Sequence, residues 1–213
     1  MKAYIFDMDG VLCDSEAILA EAACRVFQEH HGVQPSPADF LPFVGAGPDR
    51  YLQGVAEQHR VEAVLPRDKE AMYRLYAELV PGQLQPLNGV IEFVRAAHAQ
   101  GIRVAVATSA DPFKVKLNLE EIDLDAKLLS TVVTGADVTR KKPDPAIFLE
   151  AAARMDVTPT DCLVFEDAVN GVQAAKAAGM RCIGITSLFD ADTLRAAGAD
   201  ETWPDFSGAT PAV

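Results

Sequence analysis

The sequence predicts an α/β protein, an open, doubly wound, mostly parallel sheet interrupted after its first strand by an all-α insertion. Three observations carry that expectation. Five short apolar runs, AYIFDM, IRVAVAT, STVVTG, DCLVFED and RCIGITS, are rich in β-branched residues, bounded by turn residues, and read as buried strands. Helical patterns lie between them, and strand alternating with helix implies parallel neighbours joined by crossovers that cover both faces of the sheet. Between the first run and LQPLNGV, by contrast, the chain shows helical periodicity and no strand.

Taken in order, AYIFDM supplies the first strand. The insertion then holds three helical segments, SEAILAEAACRVFQEHHG, PDRYLQGVAEQHR and RDKEAMYRLYAELV, with Ser15 as N-cap of the first and Gly32 as its C′ stop. GVIEFVRAAHAQG precedes the second strand, and DPFKVKLNLEEI, with Asp111 as N-cap and Pro112 at N1, follows it. DPAIFLEAAARM follows the third strand and NGVQAAKAAG the fourth. This division assigns residues 1–14 and 85–213 to an α/β core domain and residues 15–84 to a helical domain. The tail WPDFSGATPAV is expected to be loosely held.

Composition narrows the function classes. The 213 residues, nearly half of them apolar, suffice for one good-sized core carrying an insertion. Thirty-one acidic against 19 basic residues give a net charge of −12, which opposes nucleic acid and anionic membrane surfaces as partners. Cys13, Cys24, Cys162 and Cys182 have no metal-binding spacing and read as reduced thiols. With neither a charged leader nor an apolar run of spanning length, the expectation is a soluble cytoplasmic protein, monomeric by default because no coiled-coil pattern is present.

Open α/β sheets bind ligands at the carboxyl ends of their strands, so the residues there are the informative ones. The first strand ends in Asp7, Met8, Asp9 and Gly10, and the second in Thr108 and Ser109. Lys141, Lys142 and Pro143 follow the third, and Glu166 and Asp167 end the fourth. Polar groups at four strand ends exceed what solvation requires.

In this order the stretches DMDGV, VATSA, KKPDPAIF and FEDAVNGVQAAKAAGM resemble the four motifs of the haloacid dehalogenase superfamily. The chain is most similar to its helical-cap branch of phosphatases and β-phosphoglucomutase-like enzymes. The resemblance covers nearly the whole chain and implies a Rossmann-like core with residues 15–84 as the cap. It makes Asp7 a nucleophile that forms an aspartyl-phosphate, and Asp9 the general acid and then base. It makes Mg2+ the cofactor, held by Asp7, Asp167, the Asp9 carbonyl and, directly or through water, Glu166. Lys142 and Thr108, with neighbouring backbone N–H groups, are then expected to bind phosphoryl oxygens, and Ser109 joins the substrate-binding set.

Asp9 favours phosphate esters over dehalogenation, because a departing alkoxide needs a proton donor. Leu19 stands near the position where the mutase pattern has histidine, and Pro48 where it has arginine, so the resemblance favours a phosphatase acting on a small phosphorylated metabolite. A sugar phosphomutase and a non-catalytic module of the same fold remain the alternatives. Arg50 is displaced by two residues, about 200° around a helix, from the expected direction. Glu16 is a candidate specificity residue, although an acid in a first helical turn is also favoured by the dipole. The remaining expectations are structural: His30, His31, His59 and His98 on solvated surfaces, Lys141 solvated, Cys13 as apolar packing, and Asp167 able to cap the following helix.

Overall fold

The computed structural model describes residues 1–211. All five expected strands form: β1 (Ala3–Phe6), β2 (Arg103–Ala107), β3 (Thr131–Val133), β4 (Cys162–Glu166) and β5 (Arg181–Ile185). A sixth, β6 (Glu201–Trp203), adds an edge, and the order is β3-β2-β1-β4-β5-β6 with every pairing parallel. The order reverses between β1 and β4, so the crevice favoured for ligands opens where Asp7 and Glu166 end adjacent strands.

Alternation along the strands builds two cores. Tyr4 and Phe6 of β1 join Val104, Val106, Leu163 and Phe165 on one face, covered by α4 (Val90–Ala99) through Val90, Phe93 and Val94. Ala3 and Ile5 face the other way, with Ala105, Val164 and Cys182, under α6 (Ala146–Arg154), α7 (Val169–Ala177) and α8 (Ala191–Ala196). Burial on both faces explains why these strands read as continuous apolar runs.

Residues between β1 and α4 form α1 (Glu16–His31), a 3-10 turn (Pro37–Phe43), α2 (Pro48–His59) and α3 (Leu65–Leu79). Phe27, Phe40, Tyr51, Leu52, Met72 and Tyr76 fill their shared interior. The two connections to this unit run side by side, with Asp14 N–H donating to Gln85 O at 3.1 Å and Leu87 N–H to Leu12 O at 3.1 Å. Gly32 ends α1 in the left-handed region as expected. The last core helix to be placed, α5 (Pro112–Glu121), begins after Asp111 with Pro112 in its first turn. Asp111 makes no side-chain cap and lies 3.6 Å from Lys69 Nζ instead. Among the described residues, no helix is long and apolar enough to cross a membrane.

Three expectations are corrected here. The C-terminal tail is packed rather than loosely held: Trp203 lies in β6, and Phe206 is buried within 5.2 Å of the Phe93 and Phe165 ring centroids. The final residues 212–213 lie outside the described structure. His30 and His31 are not simply solvated, because both ring nitrogens lie 2.8 Å from the buried Asp68 carboxylate. Arg67 Nε at 2.8 Å and Val64 N–H at 2.7 Å complete that clamp. Burial works against ionisation of Asp68, yet these four donors together lower its pKa to about 2. His59 pairs with Asp39 at 2.9 Å, while His98 is exposed as expected. Lys141 is not solvated either: its ammonium donates to the carbonyls of Gly135 and Val138.

Candidate active site

β1 delivers Asp7 to the floor of a cleft, where Asp7 N–H still donates to Phe165 O at 3.0 Å in the manner of a further strand residue. The chain then turns sharply, with Leu12 N–H donating to Met8 O at 2.8 Å. Gly10 sits within the turn at φ +72°, and a Cβ there would overlap the Asp167 carboxylate. Glycine is thus required both by the backbone conformation and by the approach of the acid. Ser187, just beyond β5, fastens the turn by donating to Gly10 O at 2.6 Å.

Lys142 lies across the cleft floor, 2.6 Å from Asp7 Oδ1 and 2.6 Å from Glu166 Oε1, and is buried with both. Burial disfavours its charge, but the two carboxylates outweigh that effect and hold the lysine above its ordinary pKa. Glu166 uses its other oxygen to accept from Ala168 N–H at 3.0 Å, so Glu166 serves the start of α7. Asp167 does not cap that helix, because its N-cap residue is Ala168, which corrects the sequence expectation.

Asp7, Glu166 and Asp167 each place a carboxylate oxygen within 4.8 Å of the other two. Burial, opposed by Lys142 but reinforced by Glu166 and Asp9, lifts the Asp7 pKa to about 8. Burial, with Glu166 and Asp7, drives Asp167 well above the carboxylate range. Three buried acids sharing one ammonium are short of positive charge. An all-oxygen, carboxylate-rich donor set suits a hard divalent cation.

Asp9 faces a different environment. Lys114, Ser15 and Asn118 all direct their donors at its Oδ1, Asn118 from 3.4 Å. Lys114 is 1% exposed, and Asp9 and its neighbours hold its ammonium charged against the cost of burial. Asn118 is held in turn by the Tyr76 hydroxyl, which donates to its Oδ1 at 2.7 Å. Ser15 stands at the N-cap position but makes no side-chain cap, its hydroxyl being committed to Asp9.

Sequence reasoning missed Lys114, Asn118 and the Ser15 hydroxyl. A signal existed: Lys114 and Asn118 are four residues apart and share a helical stripe with Val115, Leu119 and Ile122, which places polar groups where burial is expected.

Thr108 and Ser109 line the same cleft. Thr108 Oγ1 accepts from Ala110 N–H at 3.1 Å, while Ser109 donates to Gly45 O at 2.9 Å and so ties the end of β2 to the helical unit. Glu16, Leu19 and Pro48 also line it, and burial, then Asp9, pushes the Glu16 carboxyl up to about 7. Cys13 is buried, its sulfur accepting from Asn118 Nδ2 at 3.5 Å. Arg50 turns away, pairing with Glu57 at 2.8 Å with its guanidinium 4.9 Å from the Phe43 centroid.

A sequence model of the haloacid dehalogenase-like hydrolases matches residues 1–179. The chain belongs to that family. It is 39% identical over 201 residues to the Arabidopsis thaliana chloroplastic protein Suppressor of Quenching 1, covering 93% of this chain but 19% of the plant protein. It is 35% identical to the phosphorylated carbohydrates phosphatase of Thermotoga maritima, covering 93% of this chain and 92% of that one. The crystal structure of CbbY from Rhodobacter sphaeroides in complex with phosphate superposes with a TM-score of 0.81 at 27% identity, covering 97% and 95% of the two chains. The expected family and its α/β fold are thereby established for this hydrolase.

Proposed function

We propose that this chain is a magnesium-dependent phosphatase that hydrolyses a small organic phosphate monoester through an aspartyl-phosphate on Asp7, with residues 15–84 as its cap. The observation that carries the reading is the pairing of two strand-end acids with separate buried lysines, Lys142 at Asp7 and Lys114 at Asp9. Two acids in different electrostatic settings can divide nucleophilic and proton-transfer work between them.

A carboxylate oxygen of Asp7 attacks phosphorus, and the bond from phosphorus to the ester oxygen breaks. Asp9 gives its proton to the departing alkoxide. In the second step Asp9 takes a proton from water, the resulting hydroxide oxygen attacks phosphorus, and the bond to Asp7 breaks, releasing inorganic phosphate. Lys142 and the Thr108 hydroxyl hold phosphoryl oxygens, with backbone N–H groups after β2 as further donors. Asp7, Asp167 and the Asp9 carbonyl would hold Mg2+, with Glu166 as a direct or water-mediated ligand. When bound, the ion supplies the positive charge that lets an anionic nucleophile approach an anionic ester.

The partner on this reading is a small phosphorylated metabolite, in a cytoplasmic setting. Two relatives are named for such substrates, the carbohydrate phosphatase above and the fructose-1-phosphate phosphatase YqaB of Escherichia coli, 32% identical over 188 residues. Hydrolysis of p-nitrophenyl phosphate with Mg2+ tests the proposal. Asp7→Asn is expected to lower kcat by at least 10³-fold, and a chelator to abolish turnover by the unmutated chain. An Asp7→Asn variant with unchanged turnover would refute the assigned chemistry.

A further inference from the structure

Two polar groups on the helical side of the cleft make no side-chain hydrogen bond among the described residues. Tyr51, on α2, is 4% exposed, and its hydroxyl is the one buried side-chain polar atom among the described residues without a hydrogen bond. Glu16, the first residue of α1, lines the same cleft, and among the described residues no group donates to its carboxylate. A buried hydroxyl without a partner is costly in a folded chain, so its persistence at a cleft wall points to a ligand that satisfies it.

From this pair we infer a hydroxyl-recognition subsite, made by Tyr51 and Glu16, that selects the phosphate monoester of a small uncharged polyhydroxy compound, a polyol or a sugar. The inference rests on the phosphatase reading and gives it a substrate class. Glu16 accepts hydrogen bonds from substrate hydroxyls, and Tyr51 both donates and accepts. Leu19, Phe43, Val44, Pro48 and Tyr73 supply an apolar frame for the carbon skeleton.

Charge sets the other boundary. The helical side of the cleft is lined by no Lys, Arg or His: Arg50 is drawn out over Phe43, and Lys114, below, is committed to Asp9. A second phosphate or a carboxylate on the leaving group would therefore face Glu16 with no cation free to pair it, Lys114 being held by Asp9, which disfavours bisphosphates and carboxylated esters.

The test compares the unmutated chain with Tyr51→Phe and Glu16→Gln on sorbitol 6-phosphate, mannose 6-phosphate, phosphoglycolate and p-nitrophenyl phosphate. The ratio of kcat/KM for the two polyhydroxy esters to that for p-nitrophenyl phosphate is expected to fall about tenfold in each variant, the effect of one lost polar contact. Glu16→Gln should also raise the relative rate on phosphoglycolate. An unchanged ratio in Tyr51→Phe overturns the subsite. Thermal melts of the ligand-free proteins give a second reading. Tyr51→Phe should melt at or above the unmutated temperature, whereas a drop of several degrees would mean the hydroxyl is engaged within the fold, and would also overturn it. If the unmutated chain hydrolyses p-nitrophenyl phosphate but neither polyhydroxy ester, the subsite falls and the phosphatase stands. If it hydrolyses none of the four, both fall.

Discussion

Asp9 and Asp7 are two residues apart, yet the side chains around them differ in kind. Asp7 shares Lys142 with Glu166, while Asp9 has Lys114, Ser15 and Asn118 concentrated on one oxygen. That arrangement fixes the rotation of the Asp9 carboxyl and, on the proposed reading, leaves its other oxygen for proton transfer. Lys114→Met keeps the length and burial of the side chain but removes the cation. It is expected to lower kcat about 10- to 100-fold, within the 10²–10⁴ contributed by a positioned acid–base group, with a smaller change in KM. Steady-state kinetics checks this, beside a thermal melt showing the variant folded at the assay temperature, since an acid left unpaired in the interior is itself destabilising. Equal kcat in the variant would remove Lys114 from the catalytic arrangement. The acids were legible in the sequence because each ends a strand-like run, a position with one direction to point. Lys114 and Asn118 were not, because a helix carries side chains all around, and the face that meets Asp9 is decided by how α5 docks.

At the scale of elements, the start of α7 shows packing overriding propensity. Gly171 lies inside the helix, where alanine would ordinarily be favoured by about 1 kcal/mol. A Cβ at Gly171, however, would overlap the Glu166 carboxylate, which is fixed by Lys142 and by Ala168 N–H. Neither partner can yield without breaking a buried charge-assisted bond, a loss of roughly 1.5–3 kcal/mol that exceeds the propensity gain. Gly171→Ala is therefore expected to be less stable in urea and less active, and a gain in stability would contradict the account. The four interior strands were readable because burial on both faces makes them continuous apolar runs, and the edge strand β3 because its Thr-Val-Val run is β-branched throughout. β6 and α8 were not read, because three and six residues are too short to display a period. Phe206 was lost for a related reason: one aromatic residue in a polar stretch has no pattern, although the cavity between Phe93, Phe165 and Trp203 makes its place unambiguous.

For the molecule as a whole, the acid excess has two parts with different consequences. Most of the net charge of −12 is spread over solvated surface and screened by salt. Asp7, Glu166 and Asp167 instead converge in the interior with Lys142 as their shared cation. Burial lifts Asp7 from 3.8 to about 8, so between those values the folded chain holds a proton that the unfolded chain has released. Stability without a divalent ion must accordingly decline as pH rises through that window, the opposite of the behaviour of a carboxylate stabilised in its charged form. On the proposed reading Mg2+ competes with that proton, and the increase in melting temperature on adding it should be small near pH 5 and largest above pH 8. At a hundredfold excess over Kd the gain is about 2.7 kcal/mol, which for a chain of this size is roughly 5–10 °C. Differential scanning calorimetry at constant ionic strength separates this from screening, because a monovalent salt would act on the surface charge alone. Asp167→Asn should remove most of the Mg2+-dependent shift while leaving its monovalent-salt response in place. A shift that does not vary with pH, or one that survives Asp167→Asn, would place the ion elsewhere on the acidic surface.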